Sequence, residues 1–475
     1  MNVPTSRRPA LVLATCCASI VVVVMDISIV TVALPSLRRD LGASVSGLQW
    51  TVDAYTLVLA GFLVLAGSTA DRFGRKRVFM TGLAVFGLGS LLCSVAPGIG
   101  WLIAARAVQA VGGTMLNPVA LAIVATVYPE PAARARAIGV FGSMSGLALA
   151  LGPILGGALV DGLGWRAVFW VNVPIVAMAL AATAAFVPES RAPRARRFDP
   201  VGQVLVVVVL GGVVAAIIEA RWLGWTSPVI VGLLVVAALG VLGLRRYEPR
   251  RADPLLELRL FRSVSFSAAI LMAMFALCGF GAFLFVTTQY LQDVRGMTAL
   301  AAGLCLLPVG VLVLVLSPRT GRVVGTRGPR LPLVVAGVAL GSGGAASVWL
   351  EATTPLVVVL AVYLLFGVFL GTVNPPITNT AISGMPRSMA GVAGSLASAG
   401  RQTGTTLGVA LAGTIAGSGA GGAVGVWWLV AALGAGVLVL AVLSTGRRAL
   451  LTAHRAAALF EEVERVPVSP RPPRG

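Results

Sequence analysis

Fourteen apolar runs follow one another through the chain, near residues 10–34, 49–67, 78–96, 101–127, 136–159, 165–187, 200–219, 227–246, 264–289, 299–317, 331–350, 355–377, 391–416 and 424–444. Each is long enough to cross a hydrocarbon core about 30 Å thick, which takes about 20 residues of helix. Lipid offers no partner to a backbone N–H or C=O, so only helical bundles and closed barrels span it, and barrel strands would alternate where these runs are continuous. The expected class is therefore an all-α polytopic membrane protein with fourteen transmembrane helices. Composition agrees: 57% of the 475 residues are hydrophobic and 11% charged, which excludes a soluble globular enzyme. Cys16, Cys17, Cys93, Cys278 and Cys305 all lie in apolar runs without metal-type spacing, so neither a disulfide framework nor a metal site is indicated.

A net charge of +19 raises the question of nucleic acid, and the placement of the basic residues answers it. With Arg7 and Arg8 inside, the outer loops hold only Arg38, Arg39, Arg166, Arg221 and Arg295. Arg106 and Arg401 fall within spans, and every other lysine and arginine lies on the inner side. This positive-inside pattern, with an even span count, places both termini in the cytoplasm and excludes nucleic acid as a partner. Trp50, Trp101, Trp165 and Trp349 fall at outer span ends, as interface anchors would. Arg7-Arg8 and the following apolar stretch imitate a signal peptide, but the run is too long, contains Asp26, and is followed by a second span soon after Pro35, which favours a retained helix.

The chain also resembles itself. Asn117-Pro118 and Asn374-Pro375 are each followed at the same distance by a proline, Pro129 and Pro386. Gly139, Gly142, Ser143, Gly152 and Gly156 match Gly391, Gly394, Ser395, Gly404 and Gly408 in order and spacing, and Gly67 and Gly74 match Gly321 and Gly328. A six-helix unit used twice accounts for this. The expected organisation is a six-helix bundle over 1–190, two inserted helices with arginine-rich linkers over 191–260, a second six-helix bundle over 261–446 and a cytoplasmic tail over 447–475.

Several segments carry chemistry. Gly67-Ser-Thr-Ala-Asp71-Arg72-Phe-Gly74-Arg75-Lys76-Arg77 joins spans 2 and 3 and resembles the signature loop of the major facilitator superfamily, which implies a conformational latch between the halves. Gly325 stands where a second-half copy would carry its aspartate, so a latch through Asp71 is one-sided. Arg106-Ala-Val-Gln109-Ala-Val-Gly112-Gly113 resembles that superfamily's arginine motif. Gly146, Gly152-Pro153 and Gly156-Gly157, followed by Trp165-Arg166-Ala-Val-Phe169-Trp170-Val-Asn172-Val-Pro174, resemble the motif that marks its antiporters. Together with Tyr290-Leu291-Gln292-Asp-Val-Arg295-Gly296 and Arg401-Gln402-Thr-Gly404, they resemble the fourteen-helix drug:proton antiporter branch, the EmrB/QacA type, over nearly the whole chain. The resemblance implies a major facilitator fold, two six-helix bundles plus two inserted helices.

At about 1.5 Å per residue, Asp26 lies about 12 Å below the outer end of its helix, and Asp53 and Arg106 about 6–8 Å below theirs. An intramembrane arginine is costly unless it faces a cavity with a partner, so Asp26, Asp53 and Arg106 are read as one titratable, proton-coupling cluster. The alternatives are that Arg106 snorkels to the outer interface and that Asp53 is simply wet. Gln109, Asn117, Asn374, Arg401 and Gln402 are the candidate substrate-cavity residues. Arg401 sits near mid-membrane, where it faces the cavity, satisfies carbonyls beside the Asn374-Pro375-Pro376 break, or lies at the surface if its helix starts later. Val313, Ala397 and Ser398 stand where some multidrug relatives carry acids in spans 10 and 13, which argues against dications.

Lys76 is the only lysine and lies in no phosphate-binding loop, and His454 is the only histidine. Direct ATP-driven pumping, His-dependent zinc chemistry and Ser-His catalysis are therefore not expected, and neither is a nucleotide, cofactor or enzymatic activity. A proton gradient remains as the energy source. The leading expectation is proton-coupled efflux of a hydrophobic, neutral or monocationic drug or antibiotic by a monomer in the lipid bilayer. Arginine far outnumbers lysine, which hints at a GC-rich genome and the bacterial inner membrane. Uptake of a small metabolite by the same fold, and a lipid translocator or scaffold, are the alternatives.

Overall fold

The computed structural model describes residues 8–191, 199–251, 257–383, 390–417, 421–446, 449 and 451–452. Their long elements are helices: α1 (Pro9–Leu41), α2 (Val45–Phe73), α3 (Arg75–Ser94), α4 (Ile99–Val127), α5 (Pro131–Leu163), α6 (Ala167–Trp170), α7 (Asn172–Phe186), α8 (Pro200–Leu223), α9 (Pro228–Tyr247), α10 (Val264–Gln289), α11 (Ala299–Arg327), α12 (Arg330–Ser347), α13 (Leu356–Ile382), α14 (Ala390–Ala416) and α15 (Gly422–Ser444). Pro386, His454 and nearly all of the expected tail lie outside the described residues.

Twelve of these spans are long and apolar enough to cross a membrane, counting α6 with α7, and α2 makes thirteen if taken as one span. α14 is the remaining long helix. Arg401, Gln402, Thr403, Thr405 and Thr406 follow closely in its middle and lower its hydropathy. It is held instead by protein, packed along α10 and α2. The helix starts follow local chemistry: proline opens α1, α5, α8 and α9, where a missing N–H costs nothing, while Ser44, Ser263 and Thr298 cap α2, α10 and α11. Gly74, at φ 110, lets α3 begin directly where α2 ends. Pro174 has no N–H for the Trp170 carbonyl, and the sixth span breaks there into α6 and α7.

Helices α1 to α7 pack on one another, as do α10 to α15, while α8 and α9 pair and lie outside both groups. The two groups meet through α5 with α11, α2 with α14, and α1 with α10. These contacts crowd the end of the bundle opposite the start of α1, here called the distal end. At the α5–α11 seam, a Cβ on Gly157 would meet the backbone of Ala299 and Leu300 at 2.5 Å, and Gly303 and Gly310 lie directly against Pro153 and Ala150. Asp161 of α5 accepts from the N–H groups of Ala299 and Leu300, at 3.1 and 2.8 Å, and so caps α11 across the seam. Gln292 donates to the Val32 carbonyl at 2.8 Å. Towards the opposite, arginine-rich end there is open space: a Cβ on Gly139 or Gly142 of α5, Gly321 or Gly325 of α11, or Gly394 of α14 would meet nothing within 4 Å.

Two of the four tryptophans expected as interface anchors are covered by other helices, Trp165 fully and Trp50 in part. Trp165 is 1% exposed beside Phe169, and the Trp50 indole donates to Glu219 of α8 at 2.8 Å. Both sit where other helices cover the span ends, so they pack rather than meet headgroups. Trp101 and Trp349 remain exposed.

The α5–α11 seam leaves no room for a side chain at position 303, because the atoms in the way are backbone. Gly303→Ala is expected to pry open the distal end, so that a cysteine replacing Ala150 becomes reactive to an impermeant thiol reagent added from that side, while the same cysteine in a chain that keeps Gly303 stays protected.

Candidate functional site

Asp26 occupies the middle of α1, and Arg106 lies two turns into α4. They form a buried ion pair, Nη1 to Oδ2. A guanidinium and a carboxylate taken out of water repay their desolvation only if their remaining donors and lone pairs are met, and the neighbouring helices supply partners for all but Arg106 Nη2. Gln109, one turn beyond Arg106, accepts from Arg106 Nη1 at 2.7 Å and donates to Asp26 Oδ1 at 2.7 Å and to Ser90 Oγ of α3 at 2.8 Å. Asn172, the first residue of α7, donates to Asp26 Oδ1 at 2.9 Å. Arg106 Nε donates to the Thr51 carbonyl of α2 at 3.1 Å, and its guanidinium carbon lies 4.1 Å from the centre of the Tyr55 ring. Asp26, Arg106, Gln109, Ser90, Asn172 and Tyr55 are all 0% exposed, so Arg106 does not snorkel to an interface.

The structure separates Asp53 from this cluster. Its Oδ1 accepts from Thr56 at 3.5 Å and its Oδ2 is buried without a partner. Asp53 shares a face of α2 with Gln49 and Thr56, at helical spacing. That face turns towards α14, where Gln49 donates to the Ala410 carbonyl at 2.6 Å and Thr406 donates to Thr56 at 2.8 Å. Asp53 is thus a buried acid at the seam between the halves and is neither paired with Arg106 nor wet. Gln109 is likewise a member of the charge network rather than of a substrate cavity.

The signature loop is built within the first group of helices. Asp71 pairs with Arg75 at 3.0 Å, Arg75 reaches Thr126 Oγ1 of α4 at 2.5 Å, and the Arg75 N–H bonds to the Ser190 carbonyl at 2.9 Å. Arg72 lies over the Phe73 ring, and Gly67 and Gly74 stand at the loop's two sides. Among the described residues these bonds tie α2, α3, α4 and the strand-free segment after α7 together, and none crosses to the second group. The contact between halves expected of the signature loop is absent among these bonds.

The glycine-proline segment gives α5 two close-packed faces. Gly152 and Gly156 lie against Ser28 and Ile29 of α1, one turn beyond Asp26, while Gly146, Pro153 and Gly157 lie along α11. In the expected substrate group, Asn117 and Asn374 each keep a buried side-chain oxygen without a partner. Arg401 donates to Ser398 and Thr378, and Gln402 is half-buried beside it. Arg401 thus binds hydroxyls rather than the carbonyls of the proline break. Ser90 and Asn172 went unrecognised as site residues in the sequence, because single small polar residues in apolar spans are common. The one signal was Asn172 lying two residues before Pro174, at a helix break.

A polytopic helical bundle with a sealed charge network defines a membrane-transporter architecture. The sequence model of the Major Facilitator Superfamily matches residues 16–200 and 198–409, and the chain belongs to that superfamily. It is 37% identical over 408 residues to the multidrug resistance protein Stp of Mycobacterium tuberculosis, covering 85% of this chain and 75% of that protein. The tetracenomycin C resistance and export protein of Streptomyces glaucescens is 36% identical over 409 residues, 85% of this chain and 75% of that one. The puromycin resistance protein of Streptomyces alboniger is 37% identical over 398 residues, 83% and 79% of the two chains. Among solved structures, a peptide transporter of the POT family bound to alafosfalin superposes with a TM-score of 0.65 at 16% identity, over 94% of this chain and 95% of that one, a likeness of fold alone.

Removing one charge of the pair leaves the other buried and alone. Arg106→Leu is expected to destabilise the protein by about 3–5 kcal/mol. The double variant Asp26→Leu/Arg106→Leu should recover most of that loss, as read by thermal unfolding in detergent.

Proposed function

We propose that the chain exports small hydrophobic drugs or antibiotics across the bacterial inner membrane in exchange for protons, with both termini in the cytoplasm, as a monomer of the fourteen-helix antiporter branch. The observation that carries this reading is the buried Asp26–Arg106–Gln109–Asn172 network, a carboxylate at mid-span whose partners come from two neighbouring helices, α4 and α7. An intramembrane acid with a dedicated arginine suits a proton site and is of no use to a scaffold. The relatives named for drug resistance and export support the direction and the cargo.

The chemistry is a change of charge at Asp26. As a carboxylate it holds Arg106 and draws α1 to α4. A proton on Asp26 cancels the ion pair and leaves Arg106 to the Gln109 oxygen, the Thr51 carbonyl and the Tyr55 ring, three neutral acceptors already in place. α1 also touches α5 through Gly152 and Gly156, and α5 forms the distal seam with α11. Loosening α1 therefore acts on the contact that closes the distal end. With that end closed and open space at the arginine-rich end, the arrangement corresponds to the cytoplasm-facing stage of alternating access.

Everted membrane vesicles from an efflux-deficient host test this with ethidium as probe and an imposed pH gradient. The wild-type chain is expected to accumulate ethidium only while the gradient stands, and Asp26→Asn to fall to the level of vesicles lacking the protein while still inserting in normal amount. Gradient-driven accumulation at the wild-type rate by Asp26→Asn would remove Asp26 from the coupling. Accumulation without a gradient would remove antiport.

A further inference from the structure

Arg401 lies about 16 Å along α14 from its start, at about 1.5 Å per residue. Its Nη2 donates to Ser398 Oγ at 2.8 Å and its Nη1 to Thr378 Oγ1 of α13 at 3.3 Å. Thr378 spends its own proton on the Asn374 carbonyl at 3.2 Å, so towards Arg401 it acts only as an acceptor. Neither hydroxyl brings negative charge, and among the described residues no carboxylate pairs with Arg401. A guanidinium has five N–H donors, and holding one within a membrane span without a counter-charge is costly.

Two neighbouring observations point to a ligand. Asn374 stands one turn from Thr378 on the same face of α13, and its side-chain oxygen is buried without a partner. A buried acceptor left unmet costs about 1–3 kcal/mol, which an incoming N–H or O–H would recover. On α14, Gly394, Ser398 and Arg401 form one stripe at helical spacing, and Gly394 faces open space towards the arginine-rich end. Gly394, Ser398 and Arg401 are all part-exposed along this stripe. Arg106 makes the contrast: its positive charge is met inside the protein by Asp26, whereas that of Arg401 is met by nothing in the described structure.

We propose that Arg401, with Thr378 and Asn374, recognises an acidic oxygen of the exported molecule, an ionised phenol or enol or a carboxylate, that carries a hydrogen-bond donor beside it. The guanidinium supplies charge and paired N–H groups to the oxygen, and the Asn374 oxygen accepts from the adjacent donor. This rests on the export reading and narrows it to a class of cargo. A phospholipid headgroup also ends in an anionic oxygen, so the membrane itself is the competing source.

The test uses the purified full chain in phosphatidylcholine vesicles, which carry no net lipid charge, with an imposed pH gradient and two probes: fluorescein, which has a phenolate and a carboxylate, and ethidium, a permanent cation. Wild type is expected to move both. Arg401→Gln should lose fluorescein transport by at least about tenfold while ethidium transport persists. Arg401→Lys, which keeps the charge without the fork, should restore part of the fluorescein rate, and Asn374→Leu should lower transport of 5-aminofluorescein, which adds N–H donors on the carboxylate ring, with ethidium unchanged. Fluorescein transport at the wild-type rate in Arg401→Gln overturns the proposal, as does equal loss of both probes in that variant. Wild type moving ethidium alone overturns it and leaves export standing, whereas wild type moving neither probe, with or without added phosphatidylglycerol, overturns both. Repeating the measurement with phosphatidylglycerol added separates the sources. If both probes move only when that lipid and Arg401 are present together, Arg401 serves the lipid phosphate and the proposal falls.

Discussion

The cost of keeping charge out of water governs this molecule, and the Asp26–Arg106 pair is where that cost is met. The carboxylate lies between helices that the hydrophobic effect alone would pack in many registers. Its lone pairs accept from a guanidinium and two amides, which fixes α1, α4 and α7 relative to one another. Ser90 brings in α3, and the Thr51 carbonyl and Tyr55 ring bring in α2. A network satisfied to this degree is rigid while Asp26 is charged and loses its ionic member on taking up one proton, which is the property a coupling site requires.

Motion has to pass from that network to the seam between the halves, and α5 is built for the purpose. With glycines on two faces, its backbone approaches α1 on one side and α11 on the other, with few flexible side chains between to absorb a shift. The inserted helix α8 sits at the other seam. It is fastened to α2 near both of its ends, by Gln203 to the Gly61 carbonyl and by Glu219 to Trp50, but to α14, among the described residues, by a hydrogen bond near the distal end, where Thr414 donates to the Ile217 carbonyl at 2.9 Å. These attachments make α8 a strut of the first half that leans on the second.

The two halves share a backbone pattern and differ in chemistry. Eleven residues before Asn117 stands Arg106, and eleven before Asn374 stands Tyr363. Gln109 corresponds in the same way to Phe366, whose ring stacks on Phe283 with centroids 4.0 Å apart. Where the first half has a charge network, the second has an aromatic core. Three residues before Gly152 stands Leu149, and three before the matching Gly404 stands Arg401, so the unanswered positive charge belongs to the second half alone. Duplication supplies the scaffold, and the separation of a sealed charge from an available one is what each copy has added to it.

By itself the sequence determined the membrane class, the helical form, most span positions and the family, because these depend on properties additive along the chain: runs of apolar residues, prolines at helix starts, and motif residues at fixed spacing. It also singled out Asp26 and Arg106, since an ionised group in an apolar run is visible without knowing its neighbours. Only the tertiary structure decided which charges meet. Asp53, at much the same depth as Arg106, turns to α14 because the face of α2 it shares with Gln49 and Thr56 packs there, and depth along a helix says nothing about azimuth. Trp165 is buried and Trp50 half-buried for the same reason, and Ser90 and Asn172 join the site because α3 and α7 happen to flank α1 and α4. Hydrogen bonds act over about 3 Å, a range that residue spacing in one helix cannot resolve until the rotation of its neighbours is known.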